Sequence, residues 1–224
     1  MILFTNSVLF VHNPKTAGTS LLAHLGQRLP GPMHRAGVEE VGTYHPSLSV
    51  SLGYACAITG NRVEDFQRII APIRDPYDRE VSMFRYFRDV LHSSPALKRN
   101  LNDPRIEVAV HRSAELEFSD YIDWLFEEFG TCDIWRSECF YTTYDCPPPE
   151  SLRMIRVERL EHDLRRALKG ISLQKAERLQ RLNVSNRYTT DRFYDDRATE
   201  LVTRSYRWMF DRAIYAPRRV EQLY

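Results

Sequence analysis

Ser7–Val11 (SVLFV), running into His12–Ser20 (HNPKTAGTS) and then Leu21-Leu22, decides how this 224-residue chain is read. A β-rich apolar run ends in a turn of small residues, and a helical pattern follows at once. That order of strand, turn and helix start gathers backbone N–H groups and adds the positive end of a helix dipole, which together make an anion site. Thr16, Thr19 and Ser20 contribute hydroxyls, and Lys15 puts a cation at the rim. A terminal phosphate suits such a site. The usual P-loop, G-x-x-x-x-G-K-[ST], carries its lysine after the second glycine. Here Lys15 precedes the only glycine, Gly18, so a nucleoside triphosphate site of the usual kind is disfavoured. Lys15 instead stands at the opening of the turn, within reach of a reacting group. The plainer alternative is an ordinary strand–turn–helix connection with a surface lysine.

A second stretch raises the odds of the anion site. Arg68–Ile73 (RIIAPI) reads as a short buried strand, followed by Arg74–Phe87 (RDPYDREVSMFRYF). Pro76 suits the first turn of a helix, where its missing N–H would be unpaired in any case. Val81, Phe84, Phe87 and Leu91 then recur at helical spacing and give an apolar face. Arg74 falls at the strand end and Ser82 two turns into the helix. A guanidinium fork and a hydroxyl are a sensible second clamp on an anion.

The pair PKTAGTS and IRDPYDREVSMFRYF resembles the two signature segments of sulfotransferases that use 3′-phosphoadenosine 5′-phosphosulfate. It is most similar to the carbohydrate branch, including the heparan sulfate 2-O-sulfotransferase type. Weaker echoes follow at Asp133–Arg136 (DIWR), Arg156–Leu160 (RVERL), Asn183-Val184-Ser185 and Tyr206–Tyr215 (YRWMFDRAIY), so the likeness touches most of the chain while only the first two segments are specific. The resemblance implies a three-layer α/β/α fold with a mainly parallel central sheet, of the P-loop-NTPase-like sulfotransferase kind. It implies that Lys15, Thr16, Ala17, Gly18, Thr19 and Ser20 hold the 5′-phosphosulfate, that Arg74 and Ser82 hold the 3′-phosphate, and that Lys15 assists departure of the leaving group. Arg187, just after the Asn-x-Ser loop, is a further candidate for the 3′-phosphate or the acceptor. The cofactor implied is 3′-phosphoadenosine 5′-phosphosulfate, leaving as adenosine 3′,5′-bisphosphate, with no metal. The acceptor implied is a hydroxyl, on a glycan or glycoconjugate.

A base should take the acceptor's proton. His45, in GTYHPS between the two phosphate segments, stands where the resembled branch carries its catalytic histidine. Pro46 keeps its surroundings out of a regular helix. His34, His111, Glu39 and Glu40 are alternatives. His12 adjoins the turn and either orients it or packs, while His24 and His162 lie on helical segments. For the acceptor, Lys98, Arg99, Arg105 and Arg112 in His92–Glu117 either line a groove for an anionic glycan or form a solvated loop. Trp135 and Tyr141 either stack on a sugar or pack in the core. Two rival classes stand beside the sulfotransferase: a P-loop kinase, and a nucleotide-binding protein of the same fold without turnover.

Composition sets the bounds. The chain is 43% hydrophobic and 27% charged, which is globular rather than disordered or membrane-embedded. It is expected to form one domain, residues 1–224, with a small helical subregion. A net charge of +1 gives no steer towards nucleic acid or anionic membranes. No signal peptide or membrane span is apparent, so a cytoplasmic enzyme, or one trimmed of its anchor, is expected. Cys132, Cys139 and Cys146 are spaced seven apart, which matches no zinc pattern; with Cys56 they are expected as reduced thiols, a bridge among the last three being the alternative.

Local patterns fill in the remaining elements. Helices are expected at Thr19–Leu29, stopped by Pro30, after Ser119 as cap, over Leu160–Leu168, over Ser172–Leu182, and after Asp195 or Asp196. Strands are expected at Tyr54–Thr59 and Arg153–Val157, and a loop over His92–Glu117. Pro72 costs a ladder hydrogen bond, which is tolerable where its strand is leaving the sheet.

Overall fold

The computed structural model describes residues 2–29, 31–41, 45–94, 103–143, 147–174 and 190–218. The chain packs as two compact units, the first from Met1–Arg74 and Ser137–Val184, the second from Asp75–Arg136 and Ser185–Tyr224.

The first unit is α/β. Its strands are β1 (Ile2–Phe4), β2 (Val8–Val11), β3 (His34–Ala36), β4 (Arg68–Ile73) and β5 (Leu152–Arg156), in the spatial order β3-β1-β2-β4-β5. The central pairs β2–β4 and β4–β5 are parallel, whereas β1 runs antiparallel to both β2 and β3, so the open sheet is mixed. The antiparallel edge arises from a tight connection. Thr5 Oγ1 accepts from the backbone N–H groups of Ser7 and Val8, closing a hydroxyl-based turn between β1 and β2.

Strand alternation distributes the core. Leu3, Val8, Phe10, Ile70 and Ile155 pack with Leu21 and Leu25 of α1 (Gly18–Arg28), and with Leu160 and Leu164 of the helix Leu160–Ala167. Phe4, which points to the opposite face by alternation, meets Tyr54 edge-on. Tyr54 belongs to a helix, not to the strand expected at Tyr54–Thr59. After the single turn α2 (Val38–Val41), α3 spans Leu48–Thr59. The β-like run Tyr54–Thr59 is overridden by its ends. Ser47 Oγ accepts from Val50 N, and Gly60 terminates the helix in a left-handed conformation at φ 72° with its N–H on Cys56 O.

Contrary to expectation, Pro72 does not mark where β4 leaves the sheet: only the β2 side of the ladder has ended there, and pairing with β5 runs on to Ile73–Arg156. The β2–β4 register ends at Phe10–Ile70, so Pro72 lies beyond the reach of β2 while still paired in register with Ile155 of β5.

The second unit is helical, with α4 (Pro76–Arg85) running into a wider π-helical stretch at Tyr86–Leu91, then α5 (Pro104–Glu115) and α6 (Phe118–Phe129). The helix Leu160–Ala167 of the first unit is α7, and α8 (Asp196–Ser205) and α9 (Arg207–Asp211) belong to the second. The expected loop over His92–Glu117 therefore contains a helix. Asp103 caps it through Arg105 N, and Pro104 occupies its first turn. Ser119 is not the cap of α6: Glu117 holds that position, and Ser119 Oγ donates to Phe193 O. Asp195 does cap α8, accepting from Ala198 N at 2.7 Å. The helix breaks at Tyr206, so Met209 is on α9.

Among the described residues Cys56, Cys132 and Cys139 form no disulfide with one another, and Cys146 lies outside them. Of the helix expected over Ser172–Leu182, residues 172–174 are irregular and the rest lie outside the described residues. No helix among the described residues is long and apolar enough to cross a membrane.

Candidate anion site at the first strand–helix turn

β2 ends at Val11 and α1 begins at Gly18, leaving His12–Ala17 to make the turn. Two of its residues are left-handed without being glycine: Lys15 and Ala17, each at φ 60°. The cost is about 1–2 kcal/mol per residue. Thr16 between them is not left-handed, and such alternation aims successive backbone N–H groups to one side. Backbone strain of this kind persists only where the surroundings over-determine it. Here the buried Thr16 hydroxyl donates to Asn13 O at 2.8 Å, and the Arg74 guanidinium donates a long hydrogen bond to Lys15 O at 3.4 Å.

No side chain caps the N-terminus of α1, and its first turn holds no acidic residue. Both features favour an anion there. Of the expected hydroxyls, that of Thr16 serves inside the turn, Thr19 is exposed and Ser20 is buried.

Gly18 has a packing reason rather than a conformational one. A Cβ at this position would lie 1.8 Å from His12 Cδ2 and 2.0 Å from His12 Nε2. The imidazole therefore lies directly against the helix start. Burial, chiefly, pushes the His12 pKa down to about 3, so the ring is neutral at physiological pH.

Lys15 is shifted too. Burial first, and then the Arg74 cation, lower it to about 8. Two positive groups thus share one mouth, and a bound anion would reverse that shift.

His45 comes to the same turn. Its Nδ1 is 3.2 Å from His12 O, and the two rings meet edge-on with centroids 4.8 Å apart. A carbonyl only accepts, so Nδ1 carries the proton and Nε2 is the basic nitrogen of the neutral ring.

The other histidines are placed elsewhere. His34 stacks on Phe4, His24 contacts Arg28 on α1, His162 Nδ1 lies 3.0 Å from Asp163, and His111 meets His92. Glu40 accepts from Gly37 N, and Glu39 is exposed. Arg105 pairs with Asp103, and Arg112 with Glu115. Lys98, Arg99 and Arg187 lie outside the described residues. Ser82 is half-buried on α4, in the second unit. Trp135 is half-buried, and Tyr141 is 2% exposed, which rules out stacking of Tyr141 on a sugar. Among the described residues no group of three or more His, Cys, Asp or Glu is placed to hold a metal ion.

Sequence reasoning missed a buried ionic cluster in the second unit. Arg79, 1% exposed, donates to Asp133 at 3.1 Å, to Glu80 at 3.3 Å and to the Tyr206 hydroxyl, which itself donates to Glu80. Burial raises Glu80 to about 7 despite Arg79. A carboxylate raised from its ordinary 4.5 binds more protons folded than unfolded, so this group's contribution to stability falls as pH rises between those values. The local signal was weak: Arg79-Glu80 looks like any surface pair on a charged helix.

Comparison with models of known protein families, with characterised proteins and with solved structures finds no match.

Proposed function

We propose that the chain is a sulfotransferase, moving a sulfuryl group from 3′-phosphoadenosine 5′-phosphosulfate to a hydroxyl of a carbohydrate acceptor, on a three-layer, P-loop-like sulfotransferase fold. One observation carries this reading. Lys15 and Arg74, the two cations singled out from separate sequence segments, meet at the same strained turn, where Arg74 reaches the Lys15 carbonyl. The residues fit an anionic nucleotide: an uncapped helix start without acid, backbone N–H groups gathered by left-handed residues, and two cations. Lys15 before the glycine, rather than after it, favours sulfate donor over nucleoside triphosphate.

When bound, the donor supplies an activated sulfuryl group and a phosphate leaving group. The protein then has positioning and charge stabilisation to provide. Lys15 and the turn N–H groups would stabilise the negative charge that builds on the departing phosphate oxygen. Thr19 and Ser20, on the first turn of α1, extend the same cradle. His45 holds Nδ1–H on the His12 carbonyl and presents Nε2 as the atom to receive the acceptor's proton. His12 supplies that carbonyl and packs over Gly18.

Calorimetric titration with adenosine 3′,5′-bisphosphate, beside ADP and ATP with and without Mg²⁺, tests the reading. Metal-independent binding that requires the 3′-phosphate is expected, followed by acceptor-dependent transfer of labelled sulfate. A preference for ATP with Mg²⁺ would replace it with the kinase reading. No binding of any of the three would remove the nucleotide site altogether.

A further inference from the structure

The strand pair that carries the two cations separates before reaching them. The β2–β4 register ends at Phe10–Ile70, yet Lys15 and Arg74 lie further along their segments. Something beyond the ladder must hold the turn and the β4 end at a fixed spacing. The structure places one phenol there. Tyr141 follows the 3₁₀ turn Ser137–Phe140, and its hydroxyl donates to Pro72 O at 2.6 Å. The same oxygen accepts from Asn13 Nδ2.

The direction of these bonds is determined by proton count. A phenol has one proton, and a carbonyl can only accept. The Tyr141 proton therefore goes to Pro72, and towards Asn13 the phenol oxygen can only accept. This orients the Asn13 amide with its nitrogen on Tyr141. Asn13 is fully buried, and its backbone carbonyl takes the Thr16 hydroxyl that closes the turn between the left-handed Lys15 and Ala17. On the other side, Arg74 comes two residues after Pro72 and returns to Lys15 O. Pro72 O, Tyr141, Asn13, the turn and Arg74 form a closed circuit through the anion site.

We propose that Tyr141 is a positioning residue for the anion site, its hydroxyl setting the spacing between the turn that bears Lys15 and the strand end that bears Arg74. This rests on the anion-site reading above and gives it a residue far from its motifs in sequence. Tyr141 touches no reacting atom; it acts through Asn13 and Pro72. A tyrosine supplies what phenylalanine cannot, because only the hydroxyl serves both strands' continuations at once.

Tyr141→Phe removes one oxygen and keeps the ring. The variant is expected to bind adenosine 3′,5′-bisphosphate at least tenfold more weakly than the wild type. The titration of the Lys15 ammonium, followed by NMR, should move up towards the ordinary lysine range as the turn loosens away from Arg74. Asn13→Ala cuts the same link from the turn's side and should do the same. The double variant should be no more than about twofold weaker than either single, because coupled groups are not additive. Wild-type affinity and an unchanged Lys15 titration in a folded single variant would overturn the proposal. If Tyr141→Phe does not fold, Asn13→Ala is measured in its place, and failure of both to fold makes the link a stability element and overturns the positioning role. A wild-type protein that does not bind the nucleotide sinks the sulfotransferase reading separately, and the Lys15 titration in the variants then decides the role of Tyr141.

Discussion

Arg79 and Lys15 are both cations drawn inward, and their surroundings are opposite. Arg79, in the helical unit, lies among Asp133, Glu80 and the Tyr206 hydroxyl, so its charge is answered within the unit itself. For Lys15, in the α/β unit, the neighbouring charge that shifts its pKa is a second cation, Arg74. The first arrangement is a structural cluster, in which the cation is paired with opposite charge. In the second, burial and the Arg74 charge both disfavour the charged form of Lys15.

The largest test of that contrast is Arg79→Leu. Removing the guanidinium leaves two buried carboxyl groups without their cation, and an unfolding free energy lower by about 3–5 kcal/mol is expected in urea titration. A loss below about 1 kcal/mol would mean that the cluster does not hold the helical unit together.

Lys15→Met should act in the other direction. Between pH 8, the folded value, and the ordinary 10.5, the unfolded chain holds more of the Lys15 proton. The stability contributed by this group therefore rises with pH through that window and is lowest below it. Methionine keeps most of the side-chain length without the charge, so the variant should be more stable at pH 7 by roughly 2 kcal/mol and lose that part of the slope above pH 8. Denaturant titrations at pH 7 and pH 9.5 measure both. Its affinity for adenosine 3′,5′-bisphosphate should fall at the same time. A destabilised Lys15→Met would place Lys15 beside Arg79 as a structural cation and erase the contrast.

The smallest expected effect refines the account of the turn. Ala17 is left-handed at φ 60°, and glycine adopts that conformation freely. Relief of strain, set against glycine's greater unfolded-state freedom, predicts a gain of roughly 0.5 kcal/mol for Ala17→Gly. Thermal unfolding resolves such a change, and a loss of stability would show that the turn is not strained at Ala17.

Several elements were legible because their signals are local. Val8–Val11 is β-rich and is followed at once by the small residues of the turn. Pro76 marks the first turn of α4, and Asp195 or Asp196 the start of α8, which the structure resolves as Asp195. Lys15, Arg74 and His45 were selected from their segments, and the fold brings all three to one turn. Other signals were present and misread. Ser47 and Gly60 bracket α3 and override the β-like composition of Tyr54–Thr59. Asp103-Pro104 opens α5 within a segment whose polarity suggested a loop.

By itself the sequence determined the order of strand, turn and helix around Lys15, the place of Pro76 in the first turn of α4, the acidic cap of α8, and the apolar stripes that face the core. Periodicity and capping involve residues within a few positions of one another, so they are written into short stretches of chain. Only the tertiary structure decided why Gly18 must be small, which carbonyl orients His45, and that Arg79 is sealed among carboxylates while Lys15 faces another cation. Asn13 and Tyr141 stand 128 positions apart, and Arg79 and Asp133 stand 54 apart. A buried polar group must find a partner or bear the cost of desolvation, and which partner it finds depends on what the fold places beside it, across a separation that no local pattern records.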